Sequence, residues 1–268
     1  MKKVIGILAL LLLVLLASTK TASANHSWGG YHWARTANPF TLKLGDNLSS
    51  NWKSYLGTAS TDWSVSSVLD TTIVPGQAKA SCKPISGRVE VCNKAYGNNG
   101  WLGIAQIWVS GGHITQGTTK MNDTYFNTST YNKPAWKQFV VCQEVGHAFG
   151  LDHRDEVFGN TNLGTCMDYT SDPDGTLGSQ LSNLHPNQHD YDELGTIYSH
   201  LDPYSTVLNL IRGQSAQGTA RLGDQDLEDR NQWGKLVKDG KKVALYERDF
   251  GGGNKVFTFV IKANCLRI

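Results

Sequence analysis

Between residues 52 and 63 the apolar side chains Trp52, Tyr55, Leu56, Ala59 and Trp63 recur at i, i+3, i+4, i+7 spacing. That spacing draws one apolar face along a helix. Asp46, Asn47 and Ser49 stand just before it as candidate N-caps. A second helix is predicted to open at Asn132-Lys133-Pro134 and to run to Gly150; proline in a first turn forfeits no hydrogen bond. A third opens near Pro186 and buries Tyr191, Leu194, Ile197, Tyr198 and Leu201. Elsewhere the pattern is that of strands. Residues 71–74 form a short run closed by Pro75-Gly76, and residues 87–92 form another. Residues 102–109 are apolar throughout and meet Gly111-Gly112, after which residues 114–121 alternate and continue the sheet. Residues 26–35, with Trp28, Tyr31 and Trp33, read as extended.

After Asp202-Pro203 the pattern changes. Residues 203–268 carry no long helical period; residues 236–246 and 256–261 read as strands around Gly251-Gly252-Gly253. At the other end, Lys2-Lys3, an apolar run at residues 4–16 and the small-x-small triplet Ala22-Ser23-Ala24 read as a secretory signal cleaved after Ala24. The run is short of the roughly 20 residues that span a bilayer, so no stable membrane anchor is expected. The chain divides into a leader (1–24), a main domain (25–202) and a small β-rich C-terminal segment (203–268). Composition narrows the picture only by exclusion. Of 268 residues, 18% are charged, 40% are hydrophobic and the net charge is +2. That is too apolar for a disordered chain and too weakly basic for a nucleic-acid binder. Export permits disulfides. Cys82 and Cys92 flank a hairpin-like stretch and form a natural pair, and Cys265 is left over.

The chemistry is concentrated in Gln143-Glu144-Val145-Gly146-His147-Ala148-Phe149-Gly150-Leu151-Asp152-His153. On a helix, positions 143 and 147 share a face and can reach one metal, and Glu144 can sit beside it. Gly150 lets the helix stop and the chain turn back, so that His153 returns to the same ion. Cys166-Met167-Asp168-Tyr169 follows. The helix, the glycine turn and this methionine resemble the metzincins, a superfamily of zinc-dependent endopeptidases, and the lead-up resembles the matrixin-like branch. The resemblance covers roughly residues 28–202. It implies an α+β fold: a twisted mixed sheet of about five strands with three main helices, the C-terminal β segment being an appendage to it.

It also implies roles. Zinc would be held by His147, His153 and the residue at 143, and Glu144 would serve as general base to a metal-activated water. Met167 would pack beneath the metal, and Tyr169 would bind the metal or the oxyanion. The stretch Leu102, Gly103, Ile104, Ala105 would be an edge strand that pairs with extended protein or peptide substrate. A Cys142–Cys166 disulfide would staple helix to methionine turn. Asp152, Asp155 and Glu156 could bind calcium, as in some family members, or form a solvated acidic loop. The departure is Gln143, where the family has histidine. Three readings follow: its amide oxygen is a weaker ligand; another group (His113, Asp168, or a carboxylate of residues 152–156) replaces it; or the site holds no metal. Two functions follow: a secreted zinc metalloendopeptidase, or a catalytically inactive binding protein on the same fold. A third reading concerns residues 203–268 alone, as a carbohydrate-binding module with Trp233, Tyr246 and Phe250 as contact aromatics, against simple packing on the main domain. His185 and His189, four apart, suggest a second metal only weakly, and His26, His32 and His200 have no assignment.

Overall fold

The helix carrying Trp52, Leu56, Ala59 and Trp63 forms as the spacing predicts, over Ser50–Trp63 (α1), with those four side chains buried. The structure is a computed structural model that describes residues 26–77, 82–207 and 227–263. The leader reading of residues 1–24 and Cys265 lie outside the described residues. Strands follow in the order β1 (His32–Trp33), β2 (Phe40–Asn47), β3 (Leu69–Pro75), β4 (Arg88–Lys94), β5 (Trp101–Ser110) and β6 (His113–Asn122). Then come a short helix α2 (Asp123–Phe126), the long α3 (Pro134–His147) and α4 (Gln188–Ile197). Three strands close the described chain: β7 (Lys235–Asp239), β8 (Val243–Gly251) and β9 (Asn254–Lys262).

The α+β expectation holds, but the sheet is larger than five strands. It runs β3-β2-β4-β6-β5-β9-β8-β7, with β1 also paired to β6. The β3-β2-β4-β6 part is parallel, and from β6 onward every neighbour is antiparallel. β2 is absent from the sequence reading, although Phe40, Leu42 and Leu44 alternate with Thr41 and Lys43. The run read as one strand at 236–246 breaks near Gly240, whose N–H bonds back to the Val243 carbonyl. Leu201, expected on the buried side of α4, lies beyond its end and is exposed.

β5 explains its own apolar run. Leu102, Ala105, Ile107 and Val109 face the main core with α1 and α3. Trp101, Ile104 and Trp108 face a second cluster that contains Trp233, Tyr246, Val256 and Val260. Both faces of the strand are buried, so it cannot alternate with polar residues. The same pairing corrects two expectations. The described part of the C-terminal segment continues the main sheet rather than standing apart from it. The stretch Leu102 to Ala105 is no free edge, because β6 bonds one side of β5 and β9 the other. Of the three aromatics considered for carbohydrate contact, Trp233 and Tyr246 are core residues and Phe250 lies beneath the Arg248 guanidinium.

Two disulfides, Cys82–Cys92 and Cys142–Cys166, fix β4 and α3 to their neighbouring loops. The second lies where α3 meets the methionine turn. There the Trp63 indole N–H donates to the Cys142 carbonyl, at 3.1 Å. Gly146 is the contact point: a Cβ on it would stand 2.6 Å from Met167 Sδ and 2.7 Å from a Trp63 ring carbon. Gly146→Ala should therefore overpack this junction and cost about 1–3 kcal/mol, read as a lowered denaturant midpoint at unchanged slope.

Candidate metal centre

Gln143, Glu144 and His147 lie on the last turns of α3 and are fully buried. The His147 Nδ1–H donates to the Leu151 carbonyl at 2.8 Å, which leaves Nε2 as a lone pair. The helix then stops within a turn. Gly150 has φ +101°, and a Cβ there would lie 2.1 Å from the Tyr31 carbonyl oxygen. Only glycine fits both the left-handed backbone and the close approach. The N-terminal segment holds the reversal in place: Trp28 N–H donates to the Gly150 carbonyl (3.0 Å) and Asp152 N–H to the His26 carbonyl (2.6 Å).

His153 comes back against His147, with the two Nε2 atoms 3.2 Å apart. Two nitrogens on one tetrahedral zinc, each about 2.0–2.1 Å from it, would be about 3.3–3.4 Å apart. The other nitrogen of His153 faces Glu156 Oε1 at 3.3 Å and Asp152 Oδ1 at 3.5 Å. Lys238, on β7, reaches the same two carboxylates. Each ring thus turns Nδ1 to an oxygen acceptor and Nε2 to the other ring, the arrangement that outer partners impose on metal-binding histidines.

Gln143 donates its amide N–H to the Cys166 carbonyl at 2.7 Å. A carbonyl accepts only from the NH2 end, so this bond fixes the amide's orientation. Oε1 is the end left over, buried and without a hydrogen-bond partner. Both Glu144 oxygens are buried and unpartnered as well. Burial alone pushes the Glu144 carboxyl well above the usual glutamate range. The Gln143 amide oxygen, the Glu144 carboxyl and the His147 imidazole at the end of α3, with the returning His153 imidazole, are donor types that fit a zinc ion. Met167 packs under this turn against Gly146. Tyr169 is buried, its hydroxyl 3.5 Å from the Lys262 carbonyl, and burial raises its pKa so that it stays a neutral donor.

Of the other groups considered for the first ligand, His113 bonds Asp202 (3.0 Å); Asp168 Oδ2 accepts from the Leu163 N–H and the Asn183 amide, while its Oδ1 is buried without a partner. Asp152 and Glu156 pair with His153 and with Lys238 rather than with Asp155, which accepts from the Val157 N–H, so the three do not form the calcium cluster considered. His185 pairs with Asp62 and His189 stacks on His26, so these two do not share a ligand.

Two neighbours of the centre, Lys238 and Phe259, escaped the sequence reading. Gly103 of β5 passes so close to Glu144 that a Cβ there would lie 2.5 Å from Oε1. Its partner across the sheet is Ile261, and Ala105 pairs with Phe259. The Phe259 ring lies flat on the His147 imidazole, centroids 4.4 Å apart and planes 8° apart. Trp28 meets Phe259 edge-on. No local signal marks Lys238 or Phe259, because both arrive through strand pairing at long range. Among the described residues no helix is long and apolar enough to cross a membrane.

No protein-family model matches the chain, and no curated protein matches it. Among solved structures it is similar to high choriolytic enzyme 1, a hatching enzyme zinc-protease from the medaka Oryzias latipes, at 12% identity and a TM-score of 0.35. That match covers 65% of this chain and 99% of the enzyme. Myroilysin is similar at 12% identity and a TM-score of 0.32, over 62% of this chain and 82% of its own. Neither likeness is close enough to carry a function across.

The surroundings of His153 set a pH dependence. Its burial disfavours the charge, but hydrogen bonds to Asp152 and Glu156 and their negative charge outweigh this and raise its pKa above 6.5. Zinc must displace that proton. The His153-dependent zinc affinity should therefore weaken about tenfold per pH unit as pH falls, starting above 6.5. In Asp152→Asn/Glu156→Gln the onset should move to lower pH, as read by competition with a chromophoric chelator.

Proposed function

We propose that this chain is a secreted zinc metalloendopeptidase of the metzincin kind, matrixin-like branch, whose cleft is closed by its own C-terminal strand. The observation that carries the reading is the facing pair of Nε2 atoms, His147 and His153, beside the unpartnered Glu144. His147, His153 and Gln143 Oε1 would hold the zinc, which when bound polarises the scissile carbonyl and acidifies water. An amide oxygen is a poorer zinc ligand than imidazole, so affinity is expected to be lower than for a three-histidine set.

Glu144 is the general base. Burial raises its pKa, which favours taking a proton and returning it to the leaving amine. Tyr169, kept neutral by burial, can donate a hydrogen bond to the developing oxyanion. Met167 supports the turn by packing and takes no chemical part. The peptide would add as a strand along Leu102, Gly103, Ile104 and Ala105, in the place that β9 now fills. Hydrolysis therefore requires β9 to leave and Phe259 to lift from His147.

A second reading, an inactive binding protein, draws on Gln143 and on this same closure. The two separate on one set of assays with zinc-loaded full chain and an unfolded protein substrate. Cleavage should be detectable, should rise in Phe259→Ala, and should fall about 10²–10⁴-fold in Glu144→Gln. Full activity in Glu144→Gln would overturn the mechanism. If cleavage and tight zinc binding arise only in Gln143→His, the binding-protein reading replaces the peptidase.

A further inference from the structure

A second set of histidines lies apart from His147 and His153, at the other edge of the N-terminal segment. The parallel pairing of β1 with β6 sets His32 and His113 side by side in register. The chain after α4 brings His200 and Asp202 onto them, held by the Asp202 N–H to the Arg35 carbonyl (2.9 Å). The His32 ring stands edge to face with both other rings, 4.8 Å from His113 and 4.9 Å from His200.

The polar atoms converge. His113 Nε2 is 3.0 Å from Asp202 Oδ1, and His200 Nε2 is 3.5 Å from the same oxygen. His32 Nε2 is 3.5 Å from Asp202 Oδ2 but makes no hydrogen bond, although the residue is only 6% exposed. Ligand atoms of His32, His113 and Asp202 all lie within 4.8 Å of one another. Closing to tetrahedral spacing needs each pair to approach by at most about 1.5 Å, within reach of small side-chain rotations.

Besides the His113–Asp202 hydrogen bond, the outer partners orient the rings as in metal sites. His32 Nδ1–H donates to the Gly30 carbonyl (2.9 Å), and His113 Nδ1 pairs with the Tyr204 hydroxyl (2.9 Å). Both rings are thereby oriented with Nε2 inward. Arg35 donates through its backbone N–H and its guanidinium to Asp202 Oδ2, each at 3.1 Å, which orients the carboxylate and leaves Oδ1 facing His113 and His200. An inward lone pair on a buried imidazole with nothing to accept from is costly unless a cation fills the space.

We propose that His32, His113, His200 and Asp202 form a structural zinc site, independent of the site at His147 and His153. Three imidazoles and a carboxylate suit zinc. The ion would pin the N-terminal segment, the β5–β6 turn and the chain after α4 to one another. His200, the exposed member, closes the shell from the solvent side.

The test counts zinc by elemental analysis in the full chain, stripped with chelator, reloaded and desalted. His153→Ala, which disables the central site, should retain about one zinc per chain, and adding His113→Asn and His200→Ala should remove it. Asparagine can still pair with Asp202, which guards the fold; circular dichroism checks it. Zinc should also raise the Tm of His153→Ala by several degrees, a shift lost with His113→Asn. No zinc in His153→Ala, or zinc unchanged by His113→Asn/His200→Ala, overturns the proposal. If His153→Ala changes no zinc count while His113→Asn/His200→Ala does, this site stands and the peptidase reading fails.

Discussion

The constraint on which this structure turns is that α3 must end within one turn of His147 and send the chain straight back. Gly150 makes this possible, with a left-handed backbone pressed on the Tyr31 carbonyl. Any side chain there would push the N-terminal segment off the reversal and carry His153 away from His147. The surrounding architecture serves that reversal. Residues 26–28 bond across it, the Cys142–Cys166 disulfide ties the helix to the methionine turn, and Met167 and Trp63 lock the helix at Gly146. A long sheet supplies the wall behind it.

The second determinant is the saturation of β5. A strand buried on both faces and bonded at both edges leaves no vacancy, so the centre beneath it is sealed from solvent. That seal is chemically consequential. It removes water from Glu144, raises its pKa and leaves its oxygens without partners. It also sets the Phe259 ring flat over the His147 imidazole. Closure of the centre and the raised Glu144 pKa therefore have one physical source, burial.

Much of the site was legible in the sequence because it is local. Helical spacing, one glycine and the return of His153 all lie within residues 143–153; the Cys82–Cys92 pair followed from short separation, and the Cys142–Cys166 pair from the family resemblance. What escaped is what long-range pairing decides. An apolar run such as residues 102–109 reads alike as an edge or a central strand, and only the arrival of β9 distinguishes them. β2 escaped because its alternation is short. The histidines at 32, 113 and 200 carry no shared motif, being assembled from three distant segments. Gln143 is the instructive case: its residue type suggested a weak or lost ligand, whereas its bond to Cys166 leaves the oxygen end free.

The most direct measurement of the central claim is zinc K-edge X-ray absorption on His113→Asn/His200→Ala protein loaded with one equivalent of zinc. The account predicts two imidazole nitrogens at about 2.0–2.1 Å completed by oxygen, with one imidazole lost in His153→Ala. A zinc shell without imidazole, or one unchanged by His153→Ala, would contradict it.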